Sequence, residues 1–82
     1  MENFDLIIQQ FLQIVNNQLT NNAPPETRQT LERLQQLGYS ELEAKMMIAQ
    51  CVGRDLNTTI TEGKSKQQER YVALLHRLPD MD

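Results

Sequence analysis

Seven residues, Leu37 to Glu43, constrain what this chain can fold into more than any other stretch, because LGYSELE holds one helix end and one helix start back to back. Gly38 stands where a helix closes in a left-handed conformation that a residue with a Cβ adopts only at a cost. That assignment makes Leu34 the C3 residue and Tyr39 the C″ residue, the pair whose apolar contact accompanies a Schellman ending. Ser40 can cap the following helix, and Glu43 can reach back to the Ser40 N–H, which completes an S-x-x-E capping box. Tyr39, just before the cap, would meet Ala44 as a hydrophobic staple. Two helices therefore meet at a tight corner, and the remaining chain must pack around them.

The remainder also reads as helix. Between Asp5 and Glu26 there is no charged residue, yet Gln9, Gln10, Gln13, Asn16, Asn17 and Gln18 break the apolar run too often for a membrane span. Phe4, Ile7, Ile8, Phe11, Ile14, Val15 and Leu19 recur at the spacing of an amphipathic helix over 3–20, with Leu6 and Leu12 widening the stripe. A linker rich in turn formers follows over 20–25, and Pro25 suits the first position of a helix over 25–37, with Glu26 at its positive end. Leu31, Leu34 and Leu37, extended by Thr27 and Thr30, give that helix one buried side.

The helix predicted over 40–62 is apolar on two sides, with Ala44, Met47, Ile48, Cys51 and Val52 on one and Leu42, Met46, Ala49, Leu56 and Ile60 on another. Such a helix is packed from several directions. Gly53, unfavourable inside a helix, predicts a close approach by a neighbour or a bend. Gly63 then suits a helix end, and Ser65 with Gln68 repeats the capping-box spacing for a helix over 65–78. That helix carries Tyr71, Leu74, Leu75 and Leu78 on its core face and ends at Pro79. Two Phe, two Tyr and no Trp leave the core to Leu, Ile, Met and Ala. The expected fold is all-α, a small four-helix bundle with a central third helix, in a single domain over 1–82.

Residues suited to catalysis are scarce. His76, the one histidine, falls near a helix end where a cation suits the dipole. Cys51 falls on an apolar stripe, as a buried thiol would. No His/Cys cluster has metal-ligand spacing, Glu41 and Glu43 are two apart and do not face each other, and three glycines form no phosphate loop. The chain is expected not to be an enzyme and to hold no metal and no cofactor. A lone cysteine fits a reducing cytosol, and Met1-Glu2-Asn3-Phe4 lacks the basic start of a signal peptide, so a cytoplasmic location is expected. A net charge of −3 with mixed signs creates no field to gather nucleic acid or an anionic membrane.

Three resemblances add to this reading. Leu37-Gly38-Tyr39-Ser40 resembles the turn of helix-turn-helix regulators, which implies that the next helix enters the major groove; its first turns, however, carry Glu41, Glu43, Met46 and Met47, and the basic support is limited to Lys64, Lys66, Arg70 and Arg77. Leu34, Leu37-Gly38-Tyr39, Ser40 and Ala44, continued loosely by Gly53, Leu56 and Ile60, resemble the loop of ubiquitin-associated domains, which implies a binding surface made by the glycine and the aromatic. The broadest pattern is Pro24-Pro25-Glu26-Thr27-Arg28, Thr30, Arg33-Leu34, Gly38-Tyr39-Ser40, Glu43-Ala44, Ile48-Ala49, Arg70-Tyr71-Val72 and Leu78-Pro79. It resembles that of a group of small, uncharacterised bacterial helical proteins, which implies a prokaryotic, cytoplasmic, all-helical unit and brings no activity with it.

A chain this short buries only about 60% of the surface its unfolded form exposes, and its apolar stripes are wide. The expected function is a non-enzymatic protein-interaction or self-association module. Its partner is expected to be a second copy, as a homodimer, or another protein; nucleic acid and membrane are not expected. The expected surface is Phe4, Ile7, Ile8, Gln10, Phe11, Ile14 and Val15 of the first helix, together with Arg70 and Tyr71. The alternatives are a small DNA-binding regulator using the Gly38 corner and, third, a ubiquitin-associated-like binding domain.

Overall fold

The corner forms as its residues require. Gly38 has φ +108°, its N–H donates to Gln35 O at 3.0 Å, and the Tyr39 N–H donates to Leu34 O at 3.1 Å, which is the double bond of a Schellman ending. Across the turn the Ser40 N–H donates to Glu43 Oε1 at 2.9 Å, and the Glu43 N–H donates to Ser40 Oγ at 3.1 Å. Tyr39 packs against the core cluster that contains Leu34 and Ala44.

A computed structural model describes the backbone over residues 2–62 and 67–80 and the side chains over 6–56 and 67–80. Four helices follow one another: α1 (Glu2–Asn21), α2 (Pro25–Gln36), α3 (Glu41–Glu62) and α4 (Gln67–Arg77). No strand occurs among the described residues. The fold is thus all-α; α2 and α3 each touch the other three helices, and α3 is the centre because its contacts are the more extensive. Leu37 and Ser40 prove to be flanking caps rather than helical residues, and α1 runs one residue past its predicted end. The predicted Gly63 ending and the Ser65 cap of the last helix lie outside the described residues.

The turn after α1 is a second Schellman ending that the sequence presents only as a linker. Asn22 takes φ 51°, its N–H donates to Leu19 O at 3.3 Å, and the Ala23 N–H donates to Gln18 O at 3.0 Å. Pro25 then starts α2 at a position that needs no N–H donor.

Two arginines of α2 bind the ends of its neighbours. Arg28 Nη2 donates to Leu19 O in the last turns of α1 at 2.9 Å. Arg33 donates through Nη1 to Leu78 O at 2.6 Å and through Nη2 to Leu75 O at 2.9 Å, closing the end of α4. Carbonyls at a helix C-terminus lack intrahelical partners, and a cation there also meets the negative end of the dipole.

The core joins Val15 of α1, Leu34 of α2, Ala44, Ile48 and Ala49 of α3 and Leu75 of α4, all without solvent exposure. Removing a Leu or Ile side chain from such a site typically costs about 2–5 kcal/mol. The second apolar side predicted for α3 is not packed as expected: Ala49 is buried, but Leu42, Met46 and Leu56 are exposed, and the Ile60 side chain lies outside the described residues. Three neighbours cover only part of the circumference of α3, and Leu56 lines an open cleft between it, α1 and α4. At Gly53 the close approach is present. A Cβ there would stand 2.9 Å from Phe11 Cε2, so the glycine makes room for an aromatic ring of α1.

Candidate interaction surface

A helix advances about 100° per residue, so a wide apolar stripe cannot all face one core. On α1 the stripe divides. Val15 is 0% exposed and belongs to the core, which removes it from the expected surface. Phe11, Leu12 and Ile14 are half-buried against that core, and Ile8 is half-buried as well. Leu6 and Ile7 are 55% and 46% exposed, and Gln9, Gln10, Gln13, Asn16 and Asn17 are exposed beside them. The Phe4 side chain lies outside the described residues.

Arg70 and Tyr71 also turn inward rather than forming a contact surface. Tyr71 is 5% exposed, and its O–H donates to Gln18 Oε1 at 2.7 Å. The same Gln18 oxygen accepts from Thr27 Oγ1 at 2.7 Å, so one amide of α1 ties α2 to α4. Arg70 is half-buried with Nε 3.9 Å from Asp55 Oδ1, and Gln67 Nε2 donates to Asp55 Oδ2 at 3.3 Å. A buried Tyr hydroxyl and a buried carboxylate need such partners, and both Arg70 and Tyr71 are engaged inside the fold.

Gln18 and Asp55 are the interior polar residues that reading the sequence missed. The signal was their register: Gln18 follows Val15 by three and Asp55 follows Cys51 by four, which puts each on a buried stripe. A cleft of about 280 Å³ opens beside this seam, lined by Ile14, Gln18, Val52, Asp55, Leu56 and Tyr71 among others. A shallower groove of about 530 Å³ between α2 and α4 is lined by Glu26, Glu69, Val72, Ala73 and His76 among others. At the corner, Leu37, Leu42 and Met46 are exposed, next to exposed Glu41 and Glu43.

Burial pushes the Cys51 thiol up to about 11 and the Tyr71 hydroxyl up to about 12. Both are protonated at neutral pH, and a protonated thiol is a poor nucleophile. His76 is exposed in the last turn of α4. Among the described residues no group of three His, Cys, Asp or Glu could hold a metal ion, and no helix is long and apolar enough to cross a membrane. No family model matches the chain, and neither the curated proteins nor the solved structures contain a match.

Proposed function

We propose that the chain is a non-enzymatic interaction module that works through the outward face of α1. The observation that carries this reading is that Leu6 and Ile7 stand exposed on a helix with no charge from Leu6 to its end. Every other helix exposes charges: Arg28 and Glu32 on α2, Glu41, Glu43 and Arg54 on α3, Glu69 and Arg77 on α4. Interface centres are depleted in charge, because an ion that loses its water must be paired, whereas an amide needs only a hydrogen bond. The first turn of α3, which a DNA reader would present to a groove, instead exposes Glu41, Leu42 and Glu43, and two carboxylates repel phosphates. The resemblance to small bacterial helical proteins adds no activity to this reading.

The test is capture with the full chain as bait, comparing the natural sequence with Ile7→Lys and Leu42→Lys. Bound protein, an untagged copy of the chain included, should be lost with Ile7→Lys and kept with Leu42→Lys. The opposite pattern would move the working surface to the corner.

A further inference from the structure

Ile7, Gln10, Ile14 and Asn17 follow one another at spacings of three, four and three, the spacing of a coiled-coil seam. At about 100° per residue they fall within a strip about 80° wide. Ile7, Gln10 and Asn17 are exposed and Ile14 is half-buried, so the strip lies on the edge between core and solvent. At Ile14 it borders the 280 Å³ cleft, whose lining includes Val52 and Leu56 as well as Gln18, Asp55 and Tyr71. One end of the strip thus carries a projecting side chain, Ile7, and the other end a hollow. Seven residues separate them, about 10 Å along the axis, with Gln10 between.

A two-fold interface sets each surface against itself, so it must be self-complementary. A charge on the axis would meet its own like. An amide carries both a donor and an acceptor and can pair with its own copy. We infer that α1 pairs antiparallel with α1 of a second copy of this chain, with Gln10 meeting the partner subunit's Gln10 on the two-fold axis. Ile7 then enters the hollow beside the partner subunit's Ile14, and the partner subunit's Ile7 enters the hollow beside Ile14. In a parallel pair each Ile7 would meet the other and both hollows would stay open. The chain carries a net charge of −3, so two copies repel, and a strip with no charge from Ile7 to Asn17 adds nothing to that repulsion. The corner patch of Leu37, Leu42 and Met46 lacks that property, because charges surround it, Glu43 and the Glu41–Lys45 ion pair at 3.3 Å, and burying them costs their water. This inference rests on α1 being the working face and adds what occupies it.

The experiment is sedimentation of the full chain over a concentration series, for the natural sequence, Gln10→Lys, Gln10→Glu and an equal mixture of the two variants. Gln10 is exposed, so neither change disturbs the monomer, and circular dichroism verifies it. The natural chain should be a dimer, each variant alone should dimerise at least about tenfold more weakly, and the mixture should recover the dimer. A natural chain that stays monomeric overturns the inference while leaving the wider reading to the capture experiment above. Variants that each dimerise as well as the natural chain, or a mixture that fails to recover, overturn the antiparallel arrangement centred on Gln10.

Discussion

Gly38 adopts φ +108° with nothing within 4 Å of where a Cβ would stand, so the demand for glycine there is one of backbone alone. Gly38→Ala should cost about 1 kcal/mol, visible as a lower urea midpoint with an unchanged slope. Asn22, at φ 51°, holds the equivalent place after α1 with a residue that tolerates the left-handed region less well than glycine. Asn22→Gly should therefore keep or slightly raise the midpoint; a loss as large as that of Gly38→Ala would mean the Asn22 side chain contributes more than its backbone. Gly38 was legible because the apolar stripe of Leu31, Leu34 and Leu37 ended just before it and a serine cap followed. Asn22 was not, because Asn, Thr and Pro around it fit any turn.

The connections between elements are held by polar side chains as much as by the apolar core. Gln18 Oε1 accepts from both Thr27 and Tyr71, so Gln18→Leu would leave two inward-facing hydroxyls without that acceptor. Each such loss costs about 1–3 kcal/mol, and Gln18→Leu should destabilise by about 2 kcal/mol or more. Adding Tyr71→Phe should then cost less than Tyr71→Phe does in the natural chain, a coupling that a double-mutant cycle measures. Arg33 closes α4 with two nitrogens on two carbonyls, a fork that lysine cannot reproduce. Arg33→Lys should cost about 1 kcal/mol and speed hydrogen exchange at the end of α4, where the Leu78 and Asp80 amides bond back to Leu75 and Arg77. Exchange unchanged there would mean that the turn holds without the arginine. Polar and special residues scattered along the sequence acquire a structural job at this scale: Pro25, Arg28, Arg33, Gly38, Ser40 and Glu43 start, end or join helices, and Arg70 and Tyr71 line the interior seam.

At the scale of the molecule, burial of the two acidic protons makes the fold sensitive to alkali. The Cys51 thiol rises from 9.0 to about 11 and the Tyr71 hydroxyl from 10.0 to about 12. Between those values the unfolded chain has released protons that the folded chain still holds, so stability falls as pH rises. The urea midpoint should be insensitive to these groups below about pH 9 and should fall from there towards pH 12, with Cys51→Ala removing the earliest part of the decline. A midpoint level to pH 11 would show that the core admits water to the thiol. The inward placement of Cys51 was readable from its stripe, and that of Asp55 from its register four residues on, but the partners of the Asp55 carboxylate, Gln67 and Arg70, were known only once α4 was packed.

The local sequence determined where the helices lie and how two of them meet, because capping, glycine conformation and apolar spacing act within a few residues of the chain. It also determined that α1 would carry no charge from Leu6 to its end. Which edge of each apolar stripe is covered was decided only by the tertiary structure, since that depends on where distant helices pack. Val15 and Ile7 belong to the same stripe, and packing against α3 buries the first and leaves the second in water. Tyr71 was equally open in the sequence, until the fold set Gln18 within hydrogen-bonding distance of it from 53 residues away.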